Sequence, residues 1–333
     1  MSELQTVRVA AVQAEPFILD RDATVTKACN LIGEAGANGA QLVVFPEAFI
    51  STYVNGSIWG RGLAKWGSQQ ARNAWLRLWE NSVEIGDECT KRLCQAAREN
   101  QVTVAIGLNE RVARTRTLYN TILFVGPSGE IIGKHRKLVP TNHERMVHGF
   151  GDGSTLKVFE TPAGRIGGLI CFENLMPLAR YALYSQGEQI HVAPTAFDDE
   201  MAVVNARNTA FEGGVFVISV CIILRKASFP ADFEFREELA AAGEYTNEGG
   251  SCIVAPNGRV LAGPLGNEEA ILYADLDLNE TIRAGQVLDN VGHYARSEVL
   301  GLHFNPAAQT LVTTGELQSV EPRLRAVPGS LDS

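Results

Sequence analysis

Three side chains of complementary chemistry each follow a predicted buried strand. They are Glu47 after residues 42–45, Lys137 after residues 131–133 and Cys171 after residues 166–170. Reactive groups of α/β folds gather beyond the carboxyl ends of their strands, so these three are expected to meet. A carboxylate can accept the proton of a thiol, and an ammonium can favour the thiolate and stabilise negative charge that develops on a substrate. The trio therefore predicts nucleophilic catalysis by Cys171.

Cys171 differs from the other cysteines of the chain. Six cysteines without a Cys-x-x-Cys pair are too few for a disulfide scaffold and suit a reducing compartment. The other five lie in apolar helical or strand patterns and are interpreted as structural: Cys29, Cys89, Cys94, Cys221 and Cys252. After Cys171 the strand instead breaks into a polar sequence. Taken alone, Glu47 is also consistent with a surface carboxylate and Lys137 with a solvated base, so the hypothesis depends on all three together.

Short apolar runs alternate with helical patterns along the chain, which is typical of α/β architecture. The predicted strands span residues 7–13, 42–45, 102–108, 118–125, 131–133, 166–170, 190–193, 215–220, 251–255, 259–262 and 270–275. The predicted helices span residues 23–35, 83–100, 178–186 and 202–212. About a dozen strands exceed what one open sheet usually holds. We therefore predict an α/β fold, a four-layer α-β-β-α sandwich of two packed mixed sheets.

All four tryptophans lie in the long connection between the second predicted strand and the next predicted helix. They are Trp59, Trp66, Trp75 and Trp79. Connections of this length tend to be lids or binding loops. Trp75 and Trp79 are four residues apart, so the packing of a short helix onto the body explains them equally well. Trp59 lies nearer the end of the strand and is the candidate for the wall of a pocket.

The composition is that of a folded globular chain. Its 333 residues include 29 basic and 38 acidic side chains, a net charge of −9, and 45% of them are hydrophobic. This apolar fraction excludes disorder as the dominant state, and the acidic balance argues against nucleic acid as a partner. No linker separates the two halves, so we predict one domain over residues 1–304. Periodicity fades beyond it, and residues 305–333 are predicted to form an extended or partly disordered tail at a subunit interface.

The sequence carries no signal for secretion or for membrane insertion. Its first residues do not combine a basic start with a long apolar segment. No apolar run approaches the roughly 18–20 residues that a membrane span requires. We therefore expect a cytoplasmic protein that has no membrane partner.

The trio lies within motifs that resemble the nitrilase branch of the carbon–nitrogen hydrolase superfamily. The motifs are FPEAF at 45–49, RKLVPT at 136–141, HERMVHGFGDG at 143–153, GLICFEN at 168–174, MPLARYALY at 176–184 and VGHYAR at 291–296. The similarity extends from residue 7 to residue 304. It implies that Glu47, Lys137 and Cys171 are the Glu–Lys–Cys triad of the family. It also implies that Glu144 is the second glutamate, which orients groups or relays protons; a buried ion pair with Arg145 or Lys137 is the structural alternative.

Three positions depart from the family pattern. Phe172 stands where the family usually has tryptophan, Tyr53 alone remains of the usual turn after the first glutamate, and Ser297 replaces the usual proline. The first two departures bear on the range of substrates and the third on contacts between subunits. The residues predicted to line the substrate pocket are Tyr53, Trp59, Phe172 and Phe197.

The resemblance implies that the protein hydrolyses an organic nitrile to the carboxylic acid and ammonia, through a thioimidate and a thioester on Cys171. No cofactor is implied. The alternatives are an amidase or carbamoylase that uses the same trio, a nitrile hydration that stops at the amide, and a non-catalytic assembly protein on the same scaffold. Nitrilase relatives pair and extend into spirals or filaments, so a homodimer or a larger homo-oligomer is expected.

A zinc site is the remaining chemical alternative, because His143, Glu144 and His148 superficially resemble a zinc-binding helix. Two zinc ligands on one helix face are four residues apart. Here the two histidines are five apart, and helix-breaking glycines follow them. We therefore predict no metal site.

Overall fold

Two six-stranded mixed sheets form the centre of the computed structural model, which describes residues 6–310. The strands are β1 (Thr6–Gln13), β2 (Leu42–Val44), β3 (Thr103–Val112), β4 (Thr117–Val125), β5 (Ile131–Arg136), β6 (Phe159–Thr161), β7 (Gly164–Gly168), β8 (Ile190–Thr195), β9 (Phe216–Cys221), β10 (Ile223–Arg225), β11 (Tyr245–Glu248), β12 (Cys252–Val254), β13 (Val260–Ala262) and β14 (Ala270–Asp277). The first sheet has the order β14-β1-β2-β3-β4-β5 and the second β13-β12-β9-β8-β7-β6. Strands β10 and β11 form a separate two-stranded ribbon.

Helices connect the strands and cover the two sheets. They are α1 (Arg21–Ala37), α2 (Arg61–Leu63), α3 (Gln69–Glu80), α4 (Glu88–Asn100), α5 (Pro177–Tyr184), α6 (Glu200–Gly213), α7 (Arg236–Ala240) and α8 (Asn279–Gly285). A π-helix spans Gly56–Gly60, and short 3₁₀ turns span Asn142–Met146, Gly153–Thr155, Cys171–Leu175 and Lys226–Ser228. No helix within residues 6–310 is both long and apolar enough to cross a membrane.

The alternation of side chains along each strand creates three apolar layers. Val44 and Ile122 of the first sheet share one buried cluster with Val192 and Ile218 of the second, so this cluster lies between the sheets. On its opposite face the first sheet packs against α1 and α4, where Val43 and Val104 belong to a cluster with Ile32 and Leu93. On the outer face of the second sheet, Val217 and Val254 pack against Ala206 and Ala210 of α6. The predicted four-layer sandwich of two mixed sheets is thus confirmed.

Several element boundaries differ from the sequence prediction, among them those of α4 and β5. Helix α4 begins at Glu88 rather than at residue 83, because the Asp87 side chain accepts the backbone N–H of Thr90 and caps the helix there. Val83 instead forms a β-bridge with Glu110, a residue of β3. Strand β5 continues to Arg136, three residues beyond the predicted end, and therefore brings the chain directly to Lys137.

The connection that contains the tryptophans is helical rather than open. Within α3, the rings of Trp75 and Trp79 stack with centroids 5.5 Å apart, and both pack against a buried apolar cluster of the body, as the packing interpretation predicts. The predicted tail begins at residue 305, and residues 305–310 form neither helix nor strand. The backbone N–H of Gln309 donates to Asp152 at 2.8 Å. The rest of the predicted tail lies outside the described residues, so the domain division stays a prediction.

Candidate active site

Two of the three predicted side chains leave the first sheet at the same edge. Strand β2 is parallel to β3, while β3 is antiparallel to β4 and β4 is antiparallel to β5. Strands β2 and β5 therefore run in the same direction, and their carboxyl ends lie at one edge. Glu47 follows β2 and Lys137 follows β5, so the topology brings the carboxylate and the ammonium to that edge.

A glycine in β3 lets the segment that carries Glu47 cross close to the sheet. The backbone N–H of Ile50 donates to the carbonyl of Gly107 at 3.2 Å. A Cβ atom at position 107 would lie 2.1 Å from the Pro46 carbonyl oxygen and 2.8 Å from the Cα of Glu47. Any larger residue would push this segment away from the sheet, so Gly107 sets the position of Glu47.

Lys137 lies at the centre of a fully buried cluster of charges. Its Nζ donates to Glu47 Oε1 at 2.7 Å and to both carboxylate oxygens of Glu144 at 3.0 and 2.9 Å. The three side chains are 0% exposed. Buried charges persist only when they are paired and hydrogen-bonded, and one ammonium between two carboxylates meets that condition. The structural alternative for Glu144, an ion pair with Lys137, is therefore present, whereas Arg145 donates to the carbonyl of Pro140.

The second sheet supplies Cys171 on a sharp turn after β7. Cys171 has a backbone φ of +55°, in the left-handed region that L residues rarely adopt. Such strained strand-to-helix turns expose a nucleophile at the end of a sheet. The carboxylate of Glu173 accepts the N–H groups of Ile170 at 2.8 Å and of Leu138 at 2.6 Å. One side chain thus ties the turn that carries Cys171 to the segment that carries Lys137.

The end of β8 connects the thiol to the carboxylate. Ala196 donates its backbone N–H to Glu47 Oε2 at 2.8 Å, and Thr195 makes a side-chain hydrogen bond with Cys171. Asn120 donates to Glu47 Oε1 at 2.7 Å. Sequence reasoning missed these three residues. Asn120 is a polar residue within the apolar run of β4 and could have been found by that contrast. The backbone N–H of Ala196 could not, because no pattern of side chains indicates which N–H group a carboxylate will bind.

Burial dominates the proton equilibria of the site. It raises the pKa of Cys171 to about 12, and Glu47 adds to this rise while Lys137 opposes it. Burial likewise raises the pKa of Glu47, against the effect of Lys137. Burial alone would lower the pKa of Lys137, but the charges around it outweigh burial and raise that pKa. At neutral pH the site therefore holds an ammonium and a protonated thiol: Lys137 favours the thiolate, as the sequence argument expects, but burial and Glu47 outweigh it.

Glu144 keeps its charge inside the site. Burial would raise its pKa, but Lys137 and His148 lower it, and the net shift is downward. The hydroxyl of Tyr53 donates to Glu144 Oε1 at 3.0 Å. Glu144 thus accepts bonds from both Lys137 and Tyr53 and fixes where the ammonium lies.

The other predicted pocket residues occupy two different environments. Phe172 is 41% exposed and its ring meets that of Phe197 edge to face at 4.9 Å. A cavity of about 20 Å³ adjoins Cys171 and Phe197. Trp59 is fully buried, with Phe233 at 5.5 Å and Phe235 at 5.7 Å. Its indole therefore packs the π-helix, to which Trp59 belongs, against these two phenylalanines.

Comparison with known proteins relates this chain to enzymes that act on carbon–nitrogen bonds. A family model for carbon–nitrogen hydrolases matches residues 8–286. The bifunctional nitrilase/nitrile hydratase NIT4A of Lupinus angustifolius is 43% identical over 301 residues, which cover 89% of this chain and 85% of that protein. Nitrilase 1 of Arabidopsis thaliana is 39% identical over 312 residues, with coverages of 92% and 89%. Nitrilase blr3397 of Bradyrhizobium diazoefficiens is 41% identical over 312 residues, with coverages of 93% and 95%.

Solved structures share the fold. Nit3 of Saccharomyces cerevisiae, a member of branch 10 of the nitrilase superfamily, matches with a TM-score of 0.67 and 23% identity and covers 87% of this chain and 97% of its own. An amidase from Nesterenkonia sp. matches with a TM-score of 0.61 and 20% identity, with coverages of 83% and 92%. At these identities the likeness concerns the architecture of the chain.

Proposed function

Because the chain belongs to the carbon–nitrogen hydrolase family, we propose that it is a nitrilase that hydrolyses an organic nitrile to the carboxylic acid and ammonia. The buried contacts of Lys137 with Glu47 and Glu144, beside the thiol of Cys171, are the observation that carries this proposal. Relatives that are 39% to 43% identical and are named nitrilases add support. In this proposal Glu47, Lys137 and Cys171 are the catalytic triad.

The first half of the reaction forms a thioimidate. The sulfur of Cys171 attacks the nitrile carbon while Glu47 accepts the thiol proton, since a thiol with a pKa of about 12 does not ionise beforehand. Glu47 then delivers this proton to the nitrile nitrogen. Lys137 and the backbone N–H of Phe172 stabilise the negative charge that develops on that nitrogen.

The second half consumes two water molecules. Glu47 removes a proton from the first water as its oxygen adds to the thioimidate carbon, and passes that proton to the nitrogen. The hydroxyl proton of the tetrahedral intermediate then reaches the nitrogen through Glu47, the C–N bond breaks, ammonia leaves and a thioester remains. The second water attacks the thioester in the same way, and the C–S bond breaks to give the carboxylic acid and the free thiol. Glu144 holds Lys137 in place through both halves.

A solved relative provides chemical support for covalent catalysis. In the amidase from Nesterenkonia sp., the acetamide moiety of fluoroacetamide adds covalently at the active-site cysteine. That protein has the same fold as this chain at 20% identity. A cysteine nucleophile on this fold is therefore consistent with our proposal for Cys171.

An amidase or a nitrile hydratase activity is the second candidate. Five relatives bear names that combine nitrilase with nitrile hydratase, so a product that stops at the amide has to be tested. We expect equal yields of acid and ammonia from a nitrile, with faster turnover than of the matching amide. Chromatography of acid and amide together with an ammonia assay, over a panel of aliphatic, arylaliphatic and aromatic nitriles, measures both. Turnover of the amide alone would replace nitrilase with amidase.

We propose that Phe172, Phe197 and Tyr53 face the substrate and that Trp59, which shares a buried cluster with Tyr53, supports that residue. Replacing Phe172 by tryptophan adds bulk next to the nucleophile and against Phe197. We expect Phe172→Trp to lower kcat/KM at least about fivefold for the bulkiest nitriles accepted, since overpacking costs about 1–3 kcal/mol. The smallest nitriles should change less than about threefold, because they leave that space empty. An equal loss of kcat/KM for all nitriles of the panel would show that Phe172 does not line the substrate pocket.

We further propose that the protein forms a homo-oligomer and that it is cytoplasmic. Apolar side chains near the end of the described chain are exposed, with Leu300 at 81% and Val299 at 65%. They support a homodimer or a larger homo-oligomer that extends into a spiral or filament, which light scattering and electron microscopy would distinguish from a monomer. All six cysteines are free, as is typical of a reducing compartment, and this supports a cytoplasmic location.

A further inference from the structure

A chain of three hydrogen bonds leads from a buried carboxylate to the backbone of Cys171. Glu188 Oε1 lies 2.9 Å from His191 Nδ1, and His191 Nε2 lies 2.7 Å from Asn174 Oδ1. Asn174 Nδ2 in turn donates to the carbonyl of Cys171 at 2.9 Å. Glu188, His191 and Asn174 are all buried, and His191 is 0% exposed. The described contacts of Glu188 and His191 do not include Glu47, Lys137 or Glu144. The chemistry of the triad therefore does not explain this series of hydrogen bonds.

Asn174 clasps the turn that carries the nucleophile. Its amide nitrogen donates to the carbonyls of Leu169 at 3.0 Å and of Cys171 at 2.9 Å. The two carbonyls flank Ile170, the last residue before the strand turns, and Cys171 follows with its left-handed φ of +55°. Because the amide nitrogen serves two carbonyls, the amide oxygen must face His191. His191 Nε2 therefore acts as the donor in that bond.

Glu188 fixes the orientation of the imidazole ring. A proton shared between its carboxyl group and Nδ1 makes the hydrogen bond that holds the ring so that Nε2 points at Asn174. Glycine at position 167 of β7 leaves the space that this carboxylate needs. A Cβ atom there would lie 2.2 Å from Glu188 Oε1, so a larger residue would displace Glu188 from His191.

Strand β8 reaches the turn at two points. Alternate residues of a strand share one face, so His191 and Thr195 point to the same side of β8. His191 acts on the turn through Asn174, and Thr195 hydrogen-bonds the side chain of Cys171. The backbone and the sulfur of Cys171 are thus held from one strand.

We propose that Glu188 and His191 are positioning residues that hold the Cys171 turn in its strained conformation and so aim the sulfur at Glu47 and Lys137. The proposal rests on the proposed role of Cys171 as nucleophile. It assigns the Glu188–His191 pair to the reaction even though neither residue touches the substrate.

Two substitutions of His191 separate the two bonds of the ring. The amide nitrogen of glutamine lies near the place of Nε2, and that of asparagine near the place of Nδ1. We expect His191→Gln to keep kcat within about threefold, because it retains the donor for Asn174. His191→Asn should lower kcat about tenfold at unchanged KM, the equivalent of one lost hydrogen bond. In His191→Asn, the rate at which iodoacetamide alkylates Cys171 should fall by the same factor as kcat. Mass spectrometry of the peptide that contains Cys171 measures this rate.

The double variant tests whether the effect passes through Asn174. Asn174→Asp keeps the shape of the side chain but removes the donors for both carbonyls. We expect His191→Asn to add less than about twofold to the loss in kcat that Asn174→Asp causes, since the two act in series. Independent, multiplying losses would overturn the proposal. So would equal losses in the glutamine and asparagine variants, which would indicate a role in packing alone.

Alkylation and turnover distinguish this inference from the proposed function. If wild-type Cys171 is alkylated and required for turnover but is indifferent to His191, the positioning role alone is wrong. If Cys171 is dispensable for turnover, the proposed nucleophile is wrong, and this inference fails with it. Melting temperatures measured in parallel identify a purely structural effect, which would lower stability without changing the alkylation rate.

Discussion

The Cys171→Ala variant should release no measurable ammonia from any nitrile that the wild-type protein hydrolyses. Removal of a covalent nucleophile typically costs at least about 10⁴-fold in kcat. The fold should persist, because alanine removes one sulfur atom and leaves the hydrogen bonds of the turn, which are made by its backbone and by neighbouring side chains. An ammonia assay with a detection limit below one part in 10⁴ of wild type, as an order of magnitude, and circular dichroism together check this result.

Cys252→Ala is the matched control for this variant. Burial raises the pKa of Cys252 to about 12, just as it does for Cys171, so the two thiols are equally protonated at neutral pH. Cys252 lies in β12 among apolar side chains, and within residues 6–310 burial raises its pKa without a contribution from any carboxylate. We expect Cys252→Ala to retain turnover, with at most a modest loss of stability. Turnover retained in Cys171→Ala would contradict the thiol mechanism altogether.

These two cysteines show what a sequence can reveal about a site. Both follow or lie in apolar strands, and only the polar break after Cys171 separated it from Cys252. The break is visible because a strand that ends at a functional turn changes its pattern of side chains. The positive φ at Cys171 and the approach of the Pro46 segment to Gly107 depend on tertiary packing, which no local pattern encodes.

The fold could be predicted further than the details of the site. Strand alternation and helical periodicity report burial directly, so most strands of both sheets and the helices α1, α4, α5 and α6 can be predicted from the sequence, whereas the short strands β6, β10 and β11 cannot. Lys137 was assigned to the end of a strand that in fact continues to Arg136, because β5 is only partly buried and its polar residues hide the pattern. The donors from Ala196 and Asn120 to Glu47 join residues from distant parts of the chain, and spacing in the sequence cannot show such contacts.

The Glu47→Gln variant should lower kcat/KM by about 10³-fold, within the range of about 10²–10⁴ that general bases contribute. Glutamine keeps the shape of the side chain but cannot accept the thiol proton. The variant should also change two proton equilibria, that of Glu47 and that of Cys171. The wild-type rate should fall as the pH drops through the pKa of Glu47, which lies above the ordinary value of 4.5, because the protonated carboxyl is no longer a base. That acid limb should disappear in Glu47→Gln.

The second equilibrium is that of the nucleophile itself. Glu47 is the largest cause after burial of the raised pKa of Cys171, so removal of its charge should lower that pKa below about 12. The thiolate absorbance of Cys171, taken as the difference from Cys171→Ala, should then titrate at lower pH even though turnover has collapsed. A more readily ionised thiol in a slower enzyme would show that proton transfer by Glu47, and not the resting thiolate, drives the attack.

Glu144→Gln completes the comparison, because it removes the other carboxylate from the same ammonium. Glu144 is bonded to Lys137 and Tyr53 rather than to Ala196 and Asn120, so its loss loosens Lys137 but leaves the base in place. We expect a smaller fall in kcat/KM than in Glu47→Gln, with the acid limb of the pH profile preserved. If both variants lost the acid limb and activity equally, the two carboxylates would serve only to neutralise Lys137, and a different base would have to accept the thiol proton.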